Sequence, residues 1–332
     1  MEQERQPVVG RSYLKAQVHD VSRPPHVVGV GARGSVTLVH VRHGEDTTLL
    51  AALKKPLKND DEARGEFHTE CAAFRDMMTT AQQHPHVLRC IGFVYSTDRE
   101  RTRKKGRPMG VLTDVLDTCM WNALANGRET ADRWFPNLAD ALETLSGVPR
   151  GLMHIHAHGY VHSDLRAPNV FLKKEVDATV TAVVGDIGSV EPVGDHIHPE
   201  YANNRKEFAH LAGKDTVMTP AVDVFSFAVL VAEAVIFREP VNSVEELSHV
   251  RRENGEDDDS AIDADLLYAF AVERTTADEM PRGLLRDLCF LLETCTRLDP
   301  RERPDMEEVL RRVLECAAVA KKKLTSAGCR RE

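Results

Sequence analysis

Apolar and polar residues alternate, or form short apolar runs, along much of the first 114 positions, a pattern typical of β-strands. A helical spacing replaces it over residues 62–78, where Phe74, Met77 and Met78 fall on one face. This part of the chain is therefore predicted to form a sheet accompanied by one helix. The predicted strands are a hairpin within residues 27–41 and single strands at 49–54, 87–95 and 109–114.

The later part of the chain has the spacing of helices instead. Residues 138–158 carry apolar side chains at helical intervals, and Pro149 is expected to kink or break this helix. Residues 222–237 form an apolar run interrupted by Asp223 and Glu233, too short for a membrane span and typical of a buried core helix. A larger, mainly helical region is predicted to follow the sheet.

Three glycines, Gly29, Gly31 and Gly34, have the spacing GxGxxG within the predicted hairpin. Two folds use this spacing to bring main-chain N–H groups close to phosphates: a dinucleotide-binding turn that opens a helix, and a hairpin that covers a nucleotide. Residues 36–41 read as a strand without helical period, so we place the glycines at the tip of a hairpin. A plain glycine-rich turn is the alternative interpretation.

Lys54 ends an otherwise apolar strand, where a lysine needs an anionic partner. Glu70 lies on the apolar face of the predicted helix, where an unpaired acid is costly. Pairing Lys54 with Glu70 satisfies both side chains, with Glu66 as the alternative partner and an exposed Glu70 as the simpler interpretation. Lys55 is expected on the opposite, solvated face because side chains alternate along a strand.

The segment YVHSDLRAPNVFL, residues 160–172, places Asp164 five residues before Asn169. A carboxylate can orient a hydroxyl group and accept its proton, and an amide oxygen can ligate a hard cation such as Mg²⁺. Asp186 follows a predicted apolar strand in the turn Gly-Asp-Ile-Gly, where it can project outward and bind a cation. The alternative interpretation of both segments is an ordinary polar loop or a tight turn.

Composition limits the partners and the compartment. The 332 residues include 43 basic and 52 acidic side chains, a net charge of −9, which argues against a general binder of nucleic acid or anionic membranes. The seven cysteines are scattered and form no CxxC pair, so reduced thiols and a cytoplasmic location are expected. The basic run at residues 99–107 is interpreted as a solvated hairpin tip, with a nuclear localisation signal as the alternative.

The order of these features resembles the signature set of protein-kinase catalytic domains: a glycine-rich hairpin, a strand lysine, a helix glutamate, HxDLxxxN and DxG. The resemblance runs from about His26 to Cys316. It implies an α+β, two-lobed fold, with a small N-lobe of antiparallel strands and one helix at residues 26–114. A larger, mainly helical C-lobe is expected at residues 119–318, between a flexible leader at 1–25 and a basic, frayed tail at 319–332.

The resemblance also implies two cofactors, ATP and Mg²⁺, and a role for each matching residue. Lys54, steadied by Glu70, would hold the α- and β-phosphates, and Asp164 would orient the substrate hydroxyl and accept its proton. Asn169 and Asp186 would hold Mg²⁺. The ATP-binding residues implied in this way are Gly29, Gly31, Gly34, Val36, Ala52, Lys54, Thr113, Asp114, Val115, Leu116 and Phe171.

Within the implied ATP-binding group, the side chains of Val36, Ala52 and Phe171 would enclose the adenine ring. Thr113 corresponds to the gatekeeper position, and residues 114–116 correspond to the hinge. Arg166 is grouped with the catalytic residues, and its DLRAPN context is similar to that of tyrosine kinases and the tyrosine-kinase-like group.

Several positions differ from the kinase pattern. Ser163 replaces the arginine that normally binds a phosphorylated activation segment, and Ile187 replaces the phenylalanine of DFG. The segment from Asp186 to Glu200 is short, and an insertion at about residues 203–218 follows it. These differences leave the phosphate- and metal-handling positions intact. They are expected to affect activation by segment phosphorylation and the docking of a peptide substrate.

Three further positions match supporting residues of the family. Asp223 resembles the core-helix aspartate that braces the catalytic loop, and Glu200 resembles the end of the activation segment with Arg303 as its buried partner. The sequence therefore predicts an ATP-dependent protein kinase with a protein substrate, serine/threonine or tyrosine as acceptor, and no assigned oligomeric state. The alternative is a pseudokinase that binds nucleotide and acts as a scaffold or allosteric partner.

Overall fold

The computed structural model describes residues 11–22, 24–30, 34–42, 47–58, 61–77, 83–97, 107–125, 131, 133–196, 217–238, 262–274, 280–297 and 299–328. They form two compact units. The first comprises the described part of Met1–Leu116 together with Asp186–Val190, and the second comprises that of Asp117–Gly185 and Glu191–Glu332. The first is built on a sheet with one α-helix and the second is mainly helical, which confirms the predicted α+β, two-lobed fold.

A seven-stranded sheet forms the body of the first unit. Its strands are β1 (Arg11–Leu14), β2 (Val18–Asp20), β3 (Val27–Val30), β4 (Gly34–Arg42), β5 (Thr48–Pro56), β6 (Cys90–Tyr95) and β7 (Gly110–Thr113). Their spatial order is β1-β6-β7-β5-β4-β2, with β3 paired to β4. The α-helix of this unit, α1, spans Asp61–Met77, in agreement with the predicted helix.

The alternation of side chains along β4 shows how the sequence produces this sheet. Val39 and Val41 are buried whereas His40 and Arg42 are exposed, as expected for a strand with one apolar face. Gly34 opens this strand rather than a helix, and β3 pairs with β4 in antiparallel orientation. The hairpin prediction is therefore confirmed, and the dinucleotide-binding alternative is excluded.

The flexible leader predicted for residues 1–25 is wrong for residues 11–20. Strand β1 pairs in parallel with β6, and β2 pairs with β4, so this segment adds a strand at each end of the sheet. Tyr13 is buried in the core of the unit with Leu53, Ile91 and Leu112. The two strands are short and lie among polar residues, so the sequence shows little periodicity there. Their stability comes from partner strands that are distant in sequence.

The second unit contains seven α-helices among its described residues: α2 (Met120–Leu124), α3 (Leu138–Leu145), α4 (Gly147–Ala157), α5 (Ala221–Val231), α6 (Ala264–Arg274), α7 (Arg282–Cys295) and α8 (Met306–Gly328). Five short strands accompany them: β8 (Thr118–Cys119), β9 (Tyr160–Val161), β10 (Val170–Lys174), β11 (Val180–Val184) and β12 (Glu191–Pro192). β10 pairs with β8 and β11, and β9 pairs with β12. Of the helices described, none is both long enough and apolar enough to span a membrane.

Helix α5 is the predicted core helix, and it is buried on nearly all sides. A helix that is apolar all round must be covered all round, and residues 222, 224, 225 and 227 are each at most 2% exposed. The run continues as a π-helix over Ala232–Phe237, so the whole predicted segment of residues 222–237 is helical.

The break predicted at Pro149 lies three residues earlier instead, at Ser146 between α3 and α4. Pro149 is the third residue of α4, where a backbone N–H would have no acceptor within the helix, so proline is accommodated there. Ser146 ends α3, and its hydroxyl donates to the Glu143 carbonyl over 2.6 Å.

The tail from residue 319 is not frayed up to Gly328, because α8 continues to that residue. Ala317 and Ala320 are buried along the helix, and Lys321 Nζ lies 2.8 Å from Glu143 Oε1 on α3. Side-chain packing therefore extends the helix into a segment whose composition alone reads as solvated.

Candidate functional site

A three-residue ion cluster lies in the first unit and contains the predicted lysine–glutamate pair. Lys54, near the end of β5, has its Nζ 2.8 Å from Oε1 of Glu70 on α1 and 2.5 Å from Oδ1 of Asp186. The pairing predicted from strand and helix faces is thus confirmed. The alternative partner, the Glu66 side chain, lies outside the residues whose side chains are described.

The electrostatic environment keeps Lys54 charged. Its side chain is 16% exposed and that of Glu70 is 4% exposed. Burial by itself lowers the pKa of Lys54, but the carboxylates of Glu70 and Asp186 outweigh burial, so the pKa is raised above the ordinary lysine value. The cluster therefore presents a fixed ammonium group whose position is determined by two acids.

Two glycines allow the main chain to approach this cluster closely. A Cβ on Gly34 would lie 2.7 Å from the Lys55 carbonyl oxygen, and a Cβ on Gly188 would lie 3.0 Å from both Lys54 Nζ and Glu70 Oε2. Gly29 lies in β3 with open space around it, and Gly31 lies outside the described residues. Asp186 itself has φ 52° and ψ 59°, a left-handed conformation that is uncommon for residues other than glycine.

Two of the three residues predicted around the adenine ring, Val36 and Ala52, lie in the sheet of the first unit. Val36 is opposite Lys54, and Ala52 is opposite both Leu38 and Thr113 in the strand register. Thr113 is buried, and residues 114–116, the predicted hinge, follow it with intermediate or high exposure. Phe171 belongs to the second unit, where β10 places it opposite Cys119 and Val183.

The segment from His162 to Asn169 forms a tightly bonded loop in the second unit. Asn169 Nδ2 donates to the Asp164 carbonyl over 2.7 Å and to Asp164 Oδ2 over 3.1 Å. Because the amide nitrogen is used in this way, the Oδ1 atom of Asn169 is the atom left to ligate a cation. His162 Nε2 lies 2.8 Å from the Gly185 carbonyl oxygen, and the Gly185 N–H donates to the Asn169 carbonyl over 2.9 Å.

Asp223 braces this loop from the core helix, as the resemblance implied. Its side chain is 0% exposed. Oδ2 accepts from the N–H of His162 over 2.8 Å, and Oδ1 accepts from the N–H of Ser163 over 3.0 Å. Ser163 has φ 61°, a left-handed conformation costly for a side chain with a Cβ. The two hydrogen bonds hold the backbone in that conformation.

Two residues that contact the site were missed in the sequence. His156 Nε2 lies 2.8 Å from Asp223 Oδ2, and the guanidinium of Arg89 forms a bidentate pair with the hinge residue Asp114. His156 follows Leu152 by four residues on the apolar face of its helix, and a polar residue on that face is the signal that could have revealed it. Arg89 stands just before a buried strand and carries no comparable signal.

Two further predicted residues, Arg166 and Arg303, lie among the described residues, and a third, Glu200, does not. Arg166 is 64% exposed, with Nε 4.0 Å from Asp164 Oδ1. Arg303 is buried, and it donates to the carbonyls of Arg297 and Ala221 over 2.8 and 2.7 Å. Burial lowers the pKa of Arg303 to about 10. Its predicted partner Glu200 lies outside the described residues, so that pairing stays a prediction.

The donor set suits magnesium bound together with a phosphate-bearing ligand. Among the described residues, no group of three or more His, Cys, Asp or Glu side chains is arranged to hold a metal ion. Mg²⁺ commonly takes only one or two protein carboxylates and completes its shell with phosphate oxygens and water. Asp186 in the first unit and Asn169 in the second each carry a hard oxygen atom of this kind, and Lys54 in the first unit carries a cation suited to phosphate. Taken by their chemistry, these residues fit Mg²⁺ and a nucleotide.

Replacing Lys54 with methionine is expected to weaken the binding of Mg-ATP by about 10- to 100-fold, because a charged hydrogen-bond donor to phosphate is lost. Lys55→Met is the matched control, because its side chain alternates to the other face of β5. Isothermal titration of both variants measures the effect. Equal affinities for the two variants would show that Lys54 does not contact the phosphates.

Comparison with known proteins gives one family and a set of distant relatives. The family model described as protein tyrosine and serine/threonine kinase matches residues 24–313. The dual specificity testis-specific protein kinase 1 of Mus musculus is 27% identical over 74% of this chain and 36% of its own length. A probable receptor-like protein kinase of Arabidopsis thaliana is 26% identical over 70% of this chain and 26% of its own length. Human ephrin type-A receptor 1 is 28% identical over 46% of this chain and 14% of its own length. The chain thus matches well under half the length of these relatives.

Proposed function

Because the chain belongs to the protein tyrosine and serine/threonine kinase family, we propose that it transfers the γ-phosphoryl group of Mg-ATP to a hydroxyl group of a protein substrate. The observation that carries the proposal is the Lys54–Glu70–Asp186 cluster, in which a charged lysine is held at 2.8 and 2.5 Å from two carboxylates. A family member that had lost phosphoryl transfer would not need to retain all three residues together with Asp164 and Asn169.

The proposed reaction gives a separate role to each of the matching residues. ATP would supply the transferring group, and Mg²⁺ would neutralise charge on its phosphate oxygens. Lys54 would bind the α- and β-phosphates, and Asp186 and Asn169 would ligate the cation. Asp164 would orient the substrate hydroxyl and take its proton as the new P–O bond forms and the bond to the ADP leaving group breaks. Positioning and charge neutralisation would account for the rate, with little covalent work for the protein.

We also propose that kinase activity is regulated without binding of a phosphorylated activation segment to residue 163. The Ser163 side chain has no charge with which to bind a phosphorylated activation segment, and Ser163 is fully buried. Its backbone conformation is held by Asp223 from within the same unit. We therefore expect the catalytic loop to be ordered without segment phosphorylation.

The acceptor residue is proposed only as a hydroxyl amino acid. Relatives named dual specificity kinase, receptor-like kinase and ephrin receptor all match the chain at similar identity. The DLRAPN stretch supports the tyrosine-kinase-like group.

The six described cysteines are all free thiols, which supports a reducing, cytoplasmic setting for the reaction.

The test is incubation of the purified chain with Mg²⁺ and γ-labelled ATP, alone and with a generic protein substrate, followed by phosphoamino-acid analysis. We expect label on the chain or on the substrate, on serine, threonine or tyrosine. Asp164→Asn, prepared in parallel, controls for contaminating kinases. Tight binding of Mg-ATP without transfer to any substrate tested would favour the scaffold alternative over the proposed enzyme.

A further inference from the structure

The first hinge residue is held by an arginine that the family signature does not include. Arg89 Nε donates to Asp114 Oδ2 over 2.8 Å, and Nη2 donates to Oδ1 over 2.6 Å, a bidentate arrangement. The Asp114 N–H in turn donates to the Arg89 carbonyl over 3.1 Å. Three hydrogen bonds therefore join the same two residues, through both side chains and both main chains.

The pair lies at the ends of two strands of the sheet, which restrict its movement. Arg89 immediately precedes β6, and Asp114 immediately follows β7. Thr113, next to Asp114, is opposite Cys90 in β6 and Ala52 in β5. The peptide between Thr113 and Asp114 is thus supported from both sides before the chain continues into residues 115 and 116.

The bonding pattern indicates which part of a ligand this pair can affect. Both carboxylate oxygens of Asp114 accept from Arg89, so the guanidinium of Arg89 has its charge matched locally and Asp114 has its side chain occupied. The pair is about one-third exposed, at 35% and 30%. The hinge can therefore bind a nucleobase through its main-chain groups. The position of these groups depends on the side-chain pair of Arg89 and Asp114.

We propose that Arg89 is a positioning residue for the nucleobase, holding the Asp114 peptide in the orientation that binds the base while making no contact with the phosphates. The inference rests on the proposed function, because it presumes that the hinge binds ATP. It adds a residue outside the predicted ATP-binding group, and it assigns that residue to recognition of the base rather than of the triphosphate.

The experiment compares Arg89→Met and Arg89→Lys with the unchanged chain, using adenosine, Mg-ATP and inorganic tripolyphosphate as separate probes in isothermal titration or competition binding. Arg311→Met is the matched control, because Arg311 also forms a bidentate pair, with Glu308 over 2.6 and 2.7 Å, on the exposed surface of α8. Thermal unfolding of each variant identifies any that fail to fold.

Arg89→Met is expected to weaken adenosine and Mg-ATP equally, by about fivefold to tenfold, which corresponds to loss of one bidentate charged pair that orients the site. Tripolyphosphate affinity is expected to be unchanged, Arg89→Lys to be intermediate because its ammonium lacks the planar fork, and Arg311→Met to bind all probes normally. In Asp114→Ala, which has no side-chain acceptor for Arg89, adding Arg89→Met is expected to have little further effect.

Different results would overturn different parts of the argument. Unchanged adenosine affinity in folded Arg89→Met, or in Arg89→Lys if the methionine variant does not fold, would overturn the positioning role alone. A loss seen with tripolyphosphate but not with adenosine would instead make Arg89 a phosphate-binding residue and would also overturn it. Failure of the unchanged chain to bind either adenosine or Mg-ATP would overturn the proposed function itself.

Discussion

Asp164→Asn is expected to reduce phosphoryl transfer by about 10²- to 10⁴-fold, the range typical for loss of a general base. The amide cannot accept the proton of the substrate hydroxyl, although it has nearly the shape of the carboxylate. Asn169 donates to both the side chain and the carbonyl of Asp164, and an amide oxygen can still accept the first of these bonds. The affinity for Mg-ATP and the melting temperature should therefore change little.

This prediction is measured as the initial rate of label transfer at saturating Mg-ATP, with nucleotide affinity determined separately. Asp177→Asn is the matched control, because Asp177 is an exposed acid that accepts two hydrogen bonds from Thr179 within its own turn. If Asp164→Asn retained more than about a tenth of the rate, Asp164 would be a positioning group rather than the base.

The second large effect is expected on stability. Asp223→Ala should lower the free energy of unfolding of the second unit by about 3–5 kcal/mol, the range for removing one partner of a buried charged network. The N–H groups of His162 and Ser163 would lose their acceptor in a fully buried position, and His156 would lose its contact with the carboxylate. Ser163 would also lose the support for its left-handed backbone.

Chemical denaturation followed by circular dichroism measures this loss, and Asp177→Ala provides the exposed counterpart. Both aspartates accept two hydrogen bonds from the segment that they order, so the two variants differ in the burial of the site and in the His156 contact of Asp223. The exposed variant is expected to lose no more than about 1 kcal/mol. Similar losses for the two variants would mean that the buried network around Asp223 does not stabilise the loop from His162 to Asn169.

Local periodicity predicted the ion pair of the first unit. Lys54 on a buried strand and Glu70 on the apolar face of a helix each create an energetic problem that the other solves, so their contact followed from two local patterns. The placement of Asp186 in the same cluster could not be reached in this way, since 132 positions separate it from Lys54 in the sequence. Only its match to the kinase pattern placed it in the predicted site.

Two of the wrong predictions share a physical cause. Residues 11–20 form strands because β4 and β6 offer partners. In α8, Ala317 and Ala320 are buried and Lys321 pairs with Glu143 of α3. In each case a contact distant in sequence overrides the local composition. The wrong position of the helix break has a different cause. Pro149 lies in the first turn of α4, where proline is accommodated, so the break falls at Ser146 instead.

By itself the sequence determined the strands and the helix between residues 27 and 114, the core helix at residues 222–237, and the paired faces of Lys54 and Glu70, because these depend on side-chain periodicity and short spacing. The tertiary structure alone decided which groups hold those residues in place: His156 against Asp223, the left-handed backbone of Ser163, and Arg89 against Asp114. Each depends on a buried or partly buried polar contact between segments that local patterns do not connect, and such contacts form only when the chain has folded.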